Sequence, residues 1–126
     1  TELWPWPNVW LGTTCEDQEH YVQRYKHVSA IEATVRFISY EPALGPLRID
    51  WVPSPRVFKP DWLICGGESG RGARLMNPAW ARMVRDHCRQ LGIAFFMKQM
   101  TGKPPIPDDL MVRQFPIPRI PGVRAA

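Results

Sequence analysis

Four charged side chains fall where an α/β fold would put them to use. Glu16, Glu41 and Glu68 each stand at, or just past, the carboxyl end of a short apolar run, and Lys98 stands at the end of another. In parallel α/β architectures functional groups gather where strands end and loops begin. Three carboxylates and an ammonium on one rim could serve a polar cofactor, a metal or an acid/base pair. Glu41, Glu68 and Lys98 are the candidates for catalysis. The segment GGESGRGAR (66–74) adds a candidate ligand loop. Its glycines let backbone approach a ligand and turn N–H groups toward an anion. Glu16, Gly66, Gly67, Ser69, Gly70, Arg71 and Arg74 are the candidate cofactor-binding residues, with the two arginines as charge-assisted donors. The segment is neither a Walker A loop nor a G-x-G-x-x-G fingerprint. A plainer reading has Glu16 capping the following helix, Glu41 pairing with a nearby arginine, and the glycines serving only a tight connection.

The other reactive residue types carry less. Three cysteines, none in a C-x-x-C pair, exclude a disulfide scaffold or a self-contained zinc site. Cys65 and Cys88 fall at apolar positions that suit a small hydrophobe. Cys15, at a run's end, has no motif pairing it with His20 or His87 as a base. The three histidines show no metal-ligand spacing, so no metal site is assigned. Six tryptophans point to packing first and base stacking second.

The elements that must position these groups are four β-rich runs: 8–15 (NVWLGTTC), 35–41 (VRFISYE), 61–67 (DWLICGG) and 93–99 (IAFFMKQ). They are almost continuously hydrophobic, which suits parallel strands covered on both faces. Their starts are 27, 26 and 32 residues apart, near the roughly 30 residues of one βα unit in a barrel. Asp17 is a suitable N-cap for a helix over 17–31 that would bury Tyr21, Val22, Tyr25 and Val28. The clearest helix is 78–91. Asn77 caps it, Pro78 takes its first position and Gly92 follows its end. Its apolar stripe holds Trp80, Met83, Val84, His87, Cys88 and Leu91, which leaves Arg82, Arg85 and Arg89 outward. Five prolines within 42–60 forbid a regular helix there. An irregular crossover is expected, with a short strand over 47–51. The fold class is α/β: half of a (β/α) barrel, residues 1–100, followed by a proline-rich extended tail, 101–126.

The 126 residues allow one core, and 44% hydrophobic against 22% charged residues exclude wholesale disorder. No apolar run is long enough to span a membrane, so a cytoplasmic protein is expected. The net charge of +4 is uneven: residues 1–70 carry 6 basic and 9 acidic side chains, residues 71–100 carry 6 and 1. The basic part could meet an anion, or lie against the acidic first half. Six of the last 23 residues are proline, which predicts a polyproline-like segment, poorly ordered unless it docks. The opening WPWP (4–7) is similarly extended, with tryptophans that need a surface. Four units leave sheet edges and one face unprotected. A missing N-terminal half or self-association is therefore expected, and a chain opening on Thr1 reads as a fragment.

The strings WLICGGESG (62–70), ARLM (73–76), PAW (78–80), RDHC (85–88) and FFMKQ (95–99) come in an order that resembles a known family. NVWLG (8–12), VRFIS (35–39), EP (41–42) and LGP (44–46) extend it. The chain resembles the C-terminal half of the phage "gp thirty-seven/gp sixty-eight" family, a domain of unknown function. That resemblance implies a TIM-barrel-like fold related to radical-SAM enzymes. It also implies an N-terminal half, here absent, with a cysteine cluster able to hold an iron–sulfur cluster beside S-adenosylmethionine. Cys15, Cys65 and Cys88 do not have a cluster's spacing. The leading expectation is half of such an enzyme, of uncharacterised reaction and inactive alone. The alternatives are a nucleic-acid-associated protein binding through Arg71, Arg74, Arg82, Arg85 and Arg89, or a non-catalytic remnant.

Overall fold

A computed structural model describes residues 3–50, 54 and 56–119. The four runs form strands β1 (Trp10–Thr14), β2 (Val35–Tyr40), β3 (Trp62–Gly66) and β4 (Ala94–Gln99). All pairings are parallel, in chain order β1-β2-β3-β4. Helix α1 (Gln18–Ser29) links β1 to β2, and helix α2 (Pro78–Leu91) links β3 to β4. The sheet is open.

Both helices start where the sequence predicts. Asp17 caps α1 by accepting from His20 N, and Asn77 caps α2 by accepting from Ala79 N. Gly92 ends α2 at φ 70°, a left-handed turn that glycine makes without a Cβ penalty. The connection 41–61 is irregular as expected, but Leu47–Asp50 forms no strand. Leu47 and Ile49 are instead buried in the core, and Trp51 lies outside the described residues.

The core lies between one face of the sheet and the helices. Ile38, Tyr40, Leu63, Cys65, Phe95 and Met97 point into it, against Tyr21, Tyr25 and Val28 of α1 and Ala81, Val84 and Cys88 of α2. The phase of α2 is close to that predicted, with one correction. Ala81 is the fully buried residue of its first turn, and Trp80 is only partly buried. Arg85 does not point outward: its side chain is 16% exposed and its guanidinium contacts Asp86 and Asp109. The sequence hides this because Asp109 comes from the tail.

The opposite face departs further from expectation. Among the described residues no helix covers it. Trp10, Phe37, Trp62 and Phe96 line it, each partly exposed. A continuous apolar run looks the same whether its second face meets helices or half-exposed aromatics. Gly12 belongs to this face because Phe37 lies across it; a Cβ at Gly12 would sit 2.5 Å from that ring.

The tail docks. A single 3-10 turn, Asp108–Leu110, buries Leu110 completely. The chain then runs antiparallel along the edge of β4, with Met97 N donating to Val112 O and Gln114 N to Phe95 O. Farther on, Arg119 N donates to Thr34 O. The β4 edge is therefore covered by this strap, where an open edge was expected. At the other end of the chain Trp4 packs edge-on against Trp6 and donates through Nε1 to Glu32 O.

Candidate functional site

Glu41 and Lys98 meet across the middle of the sheet. Lys98 Nζ lies 3.0 and 3.1 Å from the two carboxylate oxygens of Glu41. They come from β4 and from just past β2, two strands that do not pair with each other. Gly66, on β3 between them, allows this: a Cβ there would lie 3.2 Å from the Glu41 carboxyl carbon. The register slips by one residue at Cys65/Gly66, so that Cys65 faces Met97 and Gly66 faces Gln99. Lys98 is the extra residue of this bulge. Lys98 follows Phe96 by two residues, so alternation along β4 sets its ammonium over the open face. The predicted pairing of Glu41 with an arginine is thus replaced by a lysine.

Below the pair lies a hollow of about 490 Å³. Phe37, Trp62 and Phe96 form its floor, with Ser39 and Ile64 beside them. Arg113 and Phe115, from the strap, form one wall. The Arg113 guanidinium stands 5.3 Å from the Phe96 ring centroid and donates to Met97 O and Lys98 O. Phe115 packs on Trp62 and Phe96 at 5.4 and 5.5 Å. Neither strap residue stands out in the sequence. The one available signal is the proline-free interval between Pro107 and Pro116, which leaves room for a paired segment.

The glycine-rich loop does hold a carboxylate, but it is the chain's own. Glu68 accepts from Arg74 N, Nε and Nη2, all at 2.8 Å. Gly67 N donates to Gln99 O, Gly102 N to Glu68 O, and Thr101 Oγ1 to Arg74 O, so the loop is pinned to the turn after β4. Ser69, Gly70 and Arg71 are exposed beyond this contact, and Gly70 and Gly72 take φ values of 97° and 73°. Glu16 does not cap α1. It pairs with Arg24 at 3.1 Å, while Asp17 takes the cap. Each predicted rim carboxylate therefore has its own cation.

Arg74 holds the Glu68 carboxyl down at about 2, and Arg82 with Arg85 does the same for Asp109. The ordinary values are 4.5 and 3.8. A carboxyl with a lowered folded value stabilises the fold above its unfolded value and loses that contribution as pH falls through the folded one. Both pairs should thus weaken between about pH 4.5 and pH 2. Carboxyl carbon shifts followed by NMR should show midpoints near 2; midpoints in the ordinary range would remove both pairs. The same contacts offset Arg74, Arg82 and Arg85, three of the five arginines of the basic-face alternative.

The cysteines do not suit a cluster. All three are buried on separate elements, and burial pushes the Cys15 and Cys88 thiols up to about 12 and Cys65 up as well. A ligating sulfur must be a thiolate. No group of three His, Cys, Asp or Glu side chains among the described residues could hold a metal ion. No helix among them is long and apolar enough to cross a membrane.

A family model for proteins of unknown function, DUF5131, matches residues 1–108, the whole sheet and both helices. The chain belongs to that family. No curated protein and no solved structure matches it. The DUF5131 match ends inside the 3-10 turn, so Arg113 and Phe115 of the strap lie beyond it. Glu41, Lys98 and the glycine-rich loop lie within it.

Proposed function

We propose that this DUF5131 chain is one wall of a barrel-type enzyme of the radical-SAM kind, and that its hollow binds a small ligand bearing an amino-acid zwitterion. The observation that carries this reading is the Glu41–Lys98 pair, held over Gly66 at the carboxyl ends of the strands. A carboxylate accepts from a ligand ammonium, and an ammonium donates to a ligand carboxylate, so the pair complements a zwitterion. Trp62 and Phe96 beneath it offer ring faces to the rest of the molecule. S-adenosylmethionine has both parts. Glu41 and Lys98 would hold its amino-acid end, and the cofactor, when reduced by a cluster, supplies a carbon radical. The cluster's thiolates would have to come from another part of the protein, because the cysteines of this chain do not fit one. This chain's residues would orient the ligand and exclude water from it.

The test uses S-adenosylhomocysteine, read by tryptophan fluorescence. Glu41→Gln and Lys98→Met should each weaken binding by about tenfold, the loss of one charge-assisted hydrogen bond. Unchanged affinity in both variants, or no binding by the unsubstituted chain, would refute the reading.

A further inference from the structure

The strap residues bring a second kind of recognition to the hollow, one that the zwitterion does not use. Arg113 spends Nε and Nη2 on the carbonyls of Met97 and Lys98. Its Nη1 has no acceptor among the described residues, and the side chain borders the hollow. Two backbone carbonyls and the Phe96 ring hold the guanidinium in place, so little rotamer freedom remains to be lost when it binds. With Lys98 it sets two cations against the single carboxylate of Glu41 in the lining. The lining thus keeps one uncompensated positive charge beside an aromatic floor. Phe115, 65% exposed, stands at 34° to Trp62 and borders the hollow. A volume of about 490 Å³ lies within the usual range of small-molecule sites.

We propose that the strap makes this hollow a site for a flat aromatic ring carrying an anionic group, the ring on Trp62 and Phe115 and the anion on Arg113. The proposal rests on the reading of the hollow as the ligand cleft and adds to it the strap's part in choosing the ligand. Arg113 is then the anion anchor, and Phe115 the residue that favours a ring over an aliphatic chain.

Three probes separate the parts: adenosine monophosphate, adenosine and ribose 5-phosphate, each titrated against tryptophan fluorescence. Adenosine monophosphate should bind at least about tenfold more tightly than either of the other two, because only it carries both ring and anion. Arg113→Met should abolish that advantage over adenosine, and Arg113→Lys should restore part of it. Phe115→Leu, which keeps an apolar cover on the strap, should weaken both adenine compounds by roughly fivefold and leave ribose 5-phosphate unchanged. Equal binding of the three probes, or none, overturns the proposal, as does an adenosine monophosphate affinity indifferent to Arg113. Either result leaves the effect of Glu41→Gln on S-adenosylhomocysteine standing. Conversely, loss of that effect with a surviving Arg113 effect would sink the zwitterion reading and keep the anion anchor.

Discussion

Gly67→Ala should destabilise the chain by about 3 kcal/mol or more, the sum of overpacking and of lost backbone hydrogen bonds. A Cβ at this position would lie 2.2 Å from Thr101 N, 2.6 Å from Thr101 Oγ1 and 2.7 Å from Met100 C. Two of the three are backbone atoms, which cannot rotate away. Relief requires the end of β3 and the turn after β4 to separate. That would stretch Gly67 N to Gln99 O and Gly102 N to Glu68 O, and with them the contacts of Thr101 to Met76 N and Arg74 O. The glycine-rich loop would lose its anchor together with the stability. Gly70→Ala is the control. Its φ is 97° and nothing lies within 4 Å of the added Cβ, so only backbone strain of about 1 kcal/mol opposes it. Urea unfolding of both variants checks this. Similar midpoints for the two would mean that the β3–β4 end is looser than these distances describe.

The role of Gly67 marks a boundary of what the sequence discloses. Four glycines within 66–72 announce a loop where backbone comes close to something. The sequence does not say to what, because Thr101 is 34 residues away and reaches the loop only after β4 has paired with β3. The strands and α2 are legible for the opposite reason. Their signals are local: near-continuous apolar runs, and an Asn77-Pro78 start with a Gly92 stop. Pairing in chain order follows from the spacing of the runs. The exposed aromatic face is not legible, since Trp10, Phe37, Trp62 and Phe96 read as buried in any two-faced pattern.

The rim is legible only in outline. Strand-end position marks Glu16, Glu41, Glu68 and Lys98 together. Their pairing depends on the missing Cβ at Gly66 and on the curl of 68–74; the glycine is visible in the sequence, but the carboxylate that lies over it and the curl are not. The strap is hidden most deeply. Prolines 104, 105, 107, 116 and 118 announce a polyproline-like segment. The residues between them bind largely through backbone to the β4 edge, and a backbone hydrogen bond leaves no mark on residue type.

Leu110→Ala should cost about 3 kcal/mol, within the span seen when a buried leucine is truncated to leave a cavity. Leu110 is 0% exposed and belongs to the core cluster, although it comes from the tail. It fastens the strap. Immediately before it, Asp109 takes Arg82 at 2.8 Å and Arg85 at 3.0 Å from α2; two residues after it, Val112 O accepts from Met97 N at 2.8 Å. Asp109 stands half-exposed, so solvent screens its ion pairs with Arg82 and Arg85 and the apolar anchor dominates. Loss of the anchor should act on the strap before it acts on the sheet, because an edge segment opens at lower free energy than a central strand. The variant should therefore show a lower unfolding midpoint and faster tryptic cleavage after Arg113 and Arg119 under native conditions. It should also lose the advantage of adenosine monophosphate over adenosine, since Arg113 would no longer be held at the hollow. Asp109→Asn, which keeps the leucine, should leave cleavage nearly unchanged. A Leu110→Ala chain that unfolds and is cleaved like the unsubstituted one would detach the strap from the fold, and the wall of the hollow with it.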